Sequence, residues 1–306
     1  MAEQVQKGRM IGGPGWTSSH ISEFFGGDCW YGIPCGATEK DSDPLGRIVH
    51  DYGYYRTNSY SINAAHSNTS VKYDSIRKRV RLLANIIWYI KADLKNGFRQ
   101  FGTHPADWRC QVYCNGPDEH YIDLACPFGK TNSTLEFCSP LKSFAISVAA
   151  RFAERREVVP PLLSSYVDDI YGGVPHNRSY DLALEFRSYI CSMGEKHTFA
   201  FNKKPHKTPL PSRQQVILGC LFDSTNRRMR SSDSKVAKYV GRINELLMVG
   251  RASVKNIMSL HGNLVFAANV APFGRPFLAA LSALVIGRKL GEIVALGRLA
   301  RLCLRI

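Results

Sequence analysis

The segment Tyr166-Val167-Asp168-Asp169 places two adjacent carboxylates inside an otherwise apolar stretch. Leu162 and Leu163 precede it, and Ile170-Tyr171-Gly172-Gly173 follows it. Because side chains alternate between the two faces of a strand, Asp168 and Asp169 can point the same way only where a turn intervenes. The pattern therefore predicts a buried β-hairpin whose tip carries acid. The simplest alternative interpretation is an acidic turn on the protein surface.

Two carboxylates held side by side repel each other, so the pair is costly unless a cation neutralises it. Oxygen ligands of this kind favour Mg²⁺ or Mn²⁺. Asp93 ends an apolar run 75 residues earlier (168 − 93). A second carboxylate at such a position is what a two-metal phosphoryl-transfer site requires, because two ions must hold the attacking and leaving oxygens. Taken alone, Asp93 would be an ordinary polar residue at the end of a strand.

The composition limits the class of protein. The 306 residues are 44% hydrophobic and 21% charged, which is typical of a globular chain with more than one subdomain. A net charge of +15 predicts a polyanionic partner, either nucleic acid or an anionic membrane surface. Nine cysteines without a Cys-x-x-Cys pair predict reduced thiols in an intracellular protein, cytoplasmic or nuclear. No apolar run is long enough to cross a bilayer, so we expect no membrane partner.

The order of apolar patterns predicts an α+β fold. Residues 1–45 lack periodicity and are expected to be irregular. Residues 75–90 predict a basic helix followed by a strand, and the three- and four-residue spacing of apolar side chains predicts a long helix over residues 136–155. Residues 199–201 and 216–222 predict strands. Helices follow from Ser231 onward, with Ser253 as an N-cap.

Five segments in order resemble the motifs of reverse transcriptases, within about residues 47–278. The segments are Asp93-Leu94-Lys95-Asn96-Gly97-Phe98-Arg99-Gln100, Pro127-Phe128-Gly129, Tyr166-Val167-Asp168-Asp169, Leu218-Gly219-Cys220, and residues 262–269. Residues 121–124 and 274–277 are most similar to DIRS-type and retrovirus-like retrotransposons. The resemblance implies a right-hand polymerase fold, with fingers and palm in residues 46–225 and a helical thumb with a C-terminal extension in residues 226–306.

The resemblance also assigns roles to residues. Asp93, Asp168 and Asp169 would bind two Mg²⁺ (or Mn²⁺) ions, with Asp169 the weaker ligand. Residues implied in binding the nucleotide are Arg47, Leu94, Phe98, Phe128 and Gly129. Within that set, Phe98 stands where the family places an aromatic gate against a ribose 2′-hydroxyl. An ordinary core phenylalanine is the alternative.

Further roles concern the leaving group and the template–primer. Lys204 would protonate the pyrophosphate, although Lys203 fits the same motif and a solvated basic loop is an alternative. Gly219, Gly262 and Phe266 would contact nucleic acid. The chain departs from the family pattern at Lys130, where an apolar residue is common, and at Ser133-Thr134, which replaces the usual Ala-Pro.

The resulting hypothesis is an RNA-directed DNA polymerase domain. Its partners would be primer–template RNA or DNA, dNTPs and proteins of the same polyprotein or element. The alternative is a catalytically silent, diverged chain that keeps the fold and binds nucleic acid. A third hypothesis, a basic ribonucleoprotein component, requires that Asp93 and Asp168 lie apart.

Overall fold

The computed structural model describes residues 1–27, 29–40, 43–54, 61–65, 71, 73, 76–175 and 178–305. The α-helices of this part of the chain are α1 (Ala2–Gln6), α2 (Ser18–Phe25), α3 (Ile62–Ala65), α4 (Ile76–Leu83), α5 (Ser133–Arg156), α6 (Tyr180–Lys196), α7 (Asp233–Val249), α8 (Val254–Ala267), α9 (Arg275–Ala283) and α10 (Arg298–Arg305). Short 3₁₀ helices lie at Gly97–Gln100, Pro105–Cys110 and Pro272–Gly274. None of these described helices has the length and apolarity needed to cross a membrane.

The strands form small sheets. They are β1 (Met10–Pro14), β2 (Gly32–Lys40), β3 (Asp43–His50), β4 (Ile86–Asp93), β5 (Val112–Cys114), β6 (Glu119–Asp123), β7 (Leu162–Tyr166), β8 (Asp169–Pro175), β9 (Gln214–Ile217), β10 (Cys220–Asp223), β11 (Arg228–Ser231), β12 (Arg251–Ser253) and β13 (Ile293–Ala295). The chain divides into two compact units. The first comprises Met1–Tyr73, Ala92–Tyr171 and Glu185–Pro209, and the second comprises Asp74–Lys91, Gly172–Leu184 and Leu210–Ile306.

The first unit contains a five-stranded sheet of order β1-β6-β5-β2-β3. Its pairs are antiparallel except for β2 and β5, which run parallel. Alternate residues of the strands bury opposite faces: Ile33 and Tyr113 belong to one apolar cluster, whereas Val112 and Ile122 belong to another. This alternation is the period of two that a sheet covered on both sides requires.

Residues 1–45 are not irregular, so that sequence prediction was wrong. They contain α1, β1, α2 and β2. Strand β1 is rich in glycine, has no side-chain alternation to detect, and is held by its pairing with β6. A Cβ atom on Gly12 would lie 2.3 Å from the His120 carbonyl oxygen, so the close approach of the two backbones requires glycine. Helix α2 begins with a capping box in which Thr17 and His20 participate.

Helix α5 confirms the long amphipathic helix predicted from spacing. The buried residues of its apolar stripe include Phe137, Leu141, Phe144, Val148 and Phe152. Pro140 lies within the helix, and the helix ends where Glu157 takes a left-handed conformation. The strip of large side chains gives the first unit a core against which the acidic hairpin and the Gly97–Gln100 turn are packed.

A further sheet has the order β4-β8-β7. The predicted basic helix and following strand are confirmed as α4 and β4. In β4, burial extends to residues on both faces, as expected for a strand inside the protein rather than at its surface. The C-terminal end of β4, all of β7 and the start of β8 belong to the first unit.

The second unit contains a β9-β10-β11 sheet, a β12-β13 pair and most of the C-terminal helices. Leu246, Val254, Ile257, Leu260 and Leu281 are among the residues of its core. The predicted N-cap at Ser253 is confirmed, because its hydroxyl accepts a hydrogen bond from the Asn256 amide.

Two strand predictions were wrong. Residues 216–222 form a hairpin rather than one strand, because Leu218 and Gly219 both have positive φ, of 50° and 79°, and so make the turn between β9 and β10. An apolar run does not reveal such a turn when leucine occupies its first position. Residues 199–201 form only an isolated bridge, between Phe201 and Leu94.

Candidate active site

The acidic hairpin is confirmed, and its turn is formed by Val167 and Asp168. Val167 has φ of 50°, and Val167 and Asp168 are the two residues between β7 and β8. Asp168 therefore lies in the turn, whereas Asp169 is the first residue of β8. Both carboxylates are half-buried. Asp168 thus lies at the tip of the hairpin. The turn begins one residue earlier than the Asp168–Asp169 turn expected from the sequence.

The hairpin tip lies beside the end of β4. The backbone N–H of Leu94 donates a 2.9 Å hydrogen bond to the carbonyl oxygen of Asp168. Asp93 directly precedes Leu94, so this bond places the backbones of the two predicted acidic residues next to each other. The requirement of the ribonucleoprotein hypothesis, that Asp93 and Asp168 lie apart, is therefore not met.

The Asp93 carboxylate is almost buried and has two neighbours that donate hydrogen bonds. Lys207 Nζ lies 3.2 Å from Asp93 Oδ1, and Asn202 Nδ2 lies 3.4 Å from Asp93 Oδ2. The Asp93 residue is 8% exposed, whereas the Lys207 side chain is 43% exposed. The ammonium group thus approaches the carboxylate from the solvent side.

The segment between Phe201 and Thr208 wraps around the end of β4. The Asn202 N–H donates to the Asp93 carbonyl oxygen at 2.8 Å, and the Asp93 N–H donates to Thr208 Oγ1 at 3.4 Å. A helical turn then brings Lys207 back over Asp93, because the N–H groups of Lys207 and Thr208 both donate to the Lys204 carbonyl oxygen. Hydrogen bonds from the side chains and the backbone of this segment therefore fix the position of Asp93.

Sequence reasoning missed Lys207. It favoured Lys204 and left Lys203 as an alternative, but the Lys204 side chain is exposed and Lys203 lies 3.9 Å from Glu195, an ion pair in solvent. The detectable signal was Asn202, whose side-chain oxygen accepts from the Lys204 N–H and starts the reversal of the chain. Because this loop reverses direction, Lys207 at its end contacts Asp93, whereas Lys203 and Lys204 near its start do not.

Phe98 lies inside an aromatic cluster. It is 6% exposed, and its ring stacks on Phe137 with a centroid distance of 4.4 Å and contacts Phe128 at 4.7 Å. Phe128 is half exposed, so the two contacting rings of Phe98 and Phe128 extend from the core to the surface. Leu94 is buried at the bridge to Phe201.

The other predicted nucleotide-binding residues lie in the first unit as well. The Gly129 carbonyl oxygen accepts a 2.8 Å hydrogen bond from Asn63 Nδ2. The Arg47 backbone pairs with Thr38 in the β2–β3 ladder, but the Arg47 side chain lies outside the described residues. Lys130 is buried and forms an ion pair with Asp107 at 3.5 Å, which explains how a lysine fits where an apolar residue is common.

In the second unit, Lys235 lies against both Gly219 and Phe266, two of the residues predicted to contact nucleic acid. The sequence analysis did not identify Lys235. Lys235 passes over Gly219, where an added Cβ would lie 2.0 Å from Lys235 Nζ. The same Nζ lies 3.7 Å from the ring centroid of Phe266, a cation–π contact. Burial lowers the pKa of Lys235. Gly262 is exposed on α8, and a side chain there would meet open space.

The acidic residues suit a metal that is shared with a ligand. Among the described residues, no three His, Cys, Asp or Glu side chains gather closely enough to form a metal site by themselves. Mg²⁺ is commonly held by one or two carboxylates together with substrate phosphates. Asp93, which already attracts the Lys207 ammonium, and Asp168 at the adjoining tip have the oxygen chemistry for that mode of binding.

Comparison with known proteins shows the fold. No protein-family profile and no curated protein matches the chain. Three solved structures of the foamy viral protease-reverse transcriptase each match 99% of this chain at 16% identity. The dRH form in complex with double-stranded DNA gives a TM-score of 0.67 and is covered over 45% of its length. The complexes with an RNA/DNA hybrid and with double-stranded DNA each give 0.65 and are covered over 34% and 54%.

This chain therefore spans between about a third and about half of the length of the proteins it matches. At this level of identity the likeness concerns the backbone. The chain has a reverse-transcriptase-like fold of helices and mostly antiparallel sheets.

Proposed function

We propose that this chain is an RNA-directed DNA polymerase domain that extends a primer with dNTPs. The observation that carries the proposal is the hydrogen bond from the Leu94 N–H to the Asp168 carbonyl oxygen, which joins the end of β4 to the acidic hairpin. Two acidic residues that are distant in the sequence therefore have neighbouring backbones in the fold. Phosphoryl transfer by two metal ions requires acidic residues from separate segments to be brought together in this way.

In this proposal, Asp93, Asp168 and Asp169 hold two Mg²⁺ or Mn²⁺ ions. When bound, such ions stabilise charge on the attacking and leaving oxygens of a phosphoryl transfer. The primer 3′-hydroxyl attacks the α-phosphate of the dNTP, and pyrophosphate leaves. The chain orients Asp93 through Asn202 and the backbone of the 201–208 loop. Lys204, or alternatively Lys203, would give an Nζ proton to the pyrophosphate.

The remaining parts of the proposal concern the polymer and the origin of the chain. Residues 46–225 would act as fingers and palm, and residues 226–306 as thumb and extension. The solved neighbours bind double-stranded DNA and an RNA/DNA hybrid, which supports a primer–template as the partner here. Gly219, Gly262 and Phe266 would contact it, together with Lys235. A retrotransposon origin and intracellular location remain part of the same proposal.

Primer extension on poly(rA)/oligo(dT) with Mg²⁺ or Mn²⁺ tests the function. We expect template-dependent incorporation of dTTP. Tight, salt-sensitive binding of the same primer–template without incorporation would instead support the silent, nucleic-acid-binding alternative. A chain that neither incorporates nor binds contradicts both.

The Lys207 contact gives a prediction about metal affinity. Replacing Lys207 with Met should tighten Mn²⁺ binding by about two- to fivefold, because the ammonium next to Asp93 competes with a metal ion and a partly exposed ion pair is worth only about 0.2–1 kcal/mol. Electron paramagnetic resonance of free Mn²⁺ measures the affinity. Lys203→Met is the matched control, since that ammonium pairs with Glu195 in solvent. Weaker binding in Lys207→Met alone would contradict the prediction.

Phe98 gives a prediction about sugar selection. If its ring acts as a gate, Phe98→Val should raise the ratio of rNTP to dNTP incorporation by about tenfold or more, because the lost ring volume admits a 2′-hydroxyl. Single-nucleotide extension with dTTP and UTP measures the ratio. Phe101→Val is the control, because Phe101 also packs on Phe137. An equal change in both variants would mean that Phe98 serves only as part of the core.

A further inference from the structure

A cavity of about 260 Å³ lies in the first unit, apart from the acidic hairpin residues. Two arginines from distant parts of the sequence line it. Arg9 precedes β1, and Arg99 lies in the Gly97–Gln100 turn. Gln100, Phe101 and Thr198 are among the other lining residues. None of these residues belongs to the metal, nucleotide or template sites proposed above.

The arginines have unused hydrogen-bond donors. Arg9 NH1 and Arg99 NH2 are both buried, and neither has a hydrogen-bond partner among the described residues. Arg99 NH1, in contrast, donates to Asp123 Oδ2 and to the Ala125 carbonyl oxygen. A buried donor without a partner costs free energy, and more so when it carries charge.

The other polar side chains of the cavity are already occupied. Gln100 Nε2 donates to the carbonyl oxygens of Lys95 and Ala200, and its oxygen accepts from the Ala200 N–H. The Thr198 hydroxyl donates to the His197 carbonyl oxygen. Arg9 and Arg99 are therefore the lining side chains that still have N–H groups without a partner among the described residues.

Charge at the cavity is positive. Asp123 neutralises Arg99, but no ion pair of Arg9 is present in the described part of the chain. Burial and repulsion from Arg99 both lower the pKa of Arg9, while Glu3 and Asp123 raise it by smaller amounts. An anion between the guanidinium groups would offset both the repulsion and the desolvation.

We propose that Arg9 and Arg99 form a binding site for a phosphate group. Guanidinium groups present parallel N–H donors that match the oxygens of phosphate, and two of them can engage different edges of one tetrahedral anion. The phosphate is either free in solution or the terminal group of a nucleotide. The proposal is independent of polymerase activity, because the site uses none of the residues of the acidic hairpin.

Isothermal titration with inorganic phosphate, in EDTA and at constant ionic strength, tests the site. EDTA removes any metal-dependent binding at Asp93 and Asp168. We expect saturable binding that Arg9→Gln weakens about tenfold or more, a loss in line with that of a charge-assisted hydrogen bond. Arg155→Gln, which removes an exposed charge from α5, should leave the affinity unchanged. Absence of saturable binding of both phosphate and adenosine monophosphate, or equal weakening in both variants, would overturn the proposal.

Two further measurements extend this test. The first distinguishes free phosphate from a nucleotide as the ligand, and the second tests the site in the unaltered chain. Adenosine monophosphate that binds at least as well as phosphate, while adenosine does not bind, identifies phosphoryl oxygens as the recognised group. Binding of the monophosphate alone, lost in Arg9→Gln, identifies a nucleotide as the source. In the unaltered chain, phosphate should slow hydrogen exchange in peptides covering residues 8–10 and 98–102 but not in α5. Unchanged exchange there contradicts the site even if Arg9→Gln fails to fold.

Discussion

Asp168→Asn is expected to lower primer extension by about a thousandfold or more. The substitution removes the charge of the proposed metal ligand at the hairpin tip but keeps the shape of the side chain. Metal ions contribute several kcal/mol to phosphoryl transfer, and each 1.36 kcal/mol is a factor of ten in rate. The fold should survive, because the hydrogen bond from Leu94 is accepted by the Asp168 backbone carbonyl and not by the carboxylate. Steady-state incorporation of dTTP measures the effect.

Asp118→Asn is the matched control, since Asp118 is an exposed acid in the first unit. It should retain activity within about twofold. Primer–template binding by Asp168→Asn should be unchanged or slightly tighter, because a negative charge has been removed from a basic protein. Asp169→Asn is expected to lose less activity than Asp168→Asn. Activity of Asp168→Asn within tenfold of the unaltered chain would exclude the proposed role of this carboxylate.

Arg99→Met is expected to lower the free energy of unfolding by about 3–5 kcal/mol, the usual cost of removing one partner from a buried ion pair. Asp123 is fully buried, and its carboxylate accepts hydrogen bonds from Arg99, Tyr113 and the Ala125 N–H. Without Arg99 the charge of Asp123 is left in the core. Urea denaturation followed by circular dichroism measures the loss.

The paired controls separate the buried charge from lost packing. Arg156→Met breaks an exposed pair with Glu185 and should cost at most about 1 kcal/mol. The double variant Arg99→Met/Asp123→Asn should recover much of the loss, because no charge remains buried. If the double variant is no more stable than Arg99→Met, the ion pair is not the cause.

The pH dependence of that variant follows from Asp123. Burial raises the pKa of its carboxyl group, while Arg99 opposes the rise. Removing Arg99 raises the pKa of Asp123 further, and a folded-state pKa above the unfolded value gives stability that is present at low pH and lost as the pH rises through the folded value. The deficit of Arg99→Met should therefore be smaller at pH 5 than at pH 8.

The parts of the fold that the sequence predicted are those with a strong local pattern. A continuous apolar run placed β4, three- and four-residue spacing placed α5, and the apolar flanks of Asp168 placed the hairpin. The resemblance to reverse transcriptases agrees with the similarity in fold to the foamy viral structures. Local patterns succeed here because one buried face determines both the sequence and the element.

The parts that were missed depend on tertiary contacts. Strand β1 has no pattern because its partner strand holds a glycine-rich backbone. Lys207 reaches Asp93, and Lys235 reaches Phe266, only because turns reverse the chain. The Arg9 and Arg99 cavity joins residues 90 positions apart (99 − 9). No spacing in the sequence encodes such meetings.

Val167 has a consequence for protein engineering. A β-branched residue with positive φ is a conformational outlier, and glycine or asparagine would adopt the same turn with less strain. A design procedure that idealises the backbone would replace this valine first. Glycine would also give the residue before Asp168 more conformational freedom. A redesign that aims to stabilise this chain should therefore keep Val167, because the strained turn limits the conformational freedom of the neighbouring Asp168.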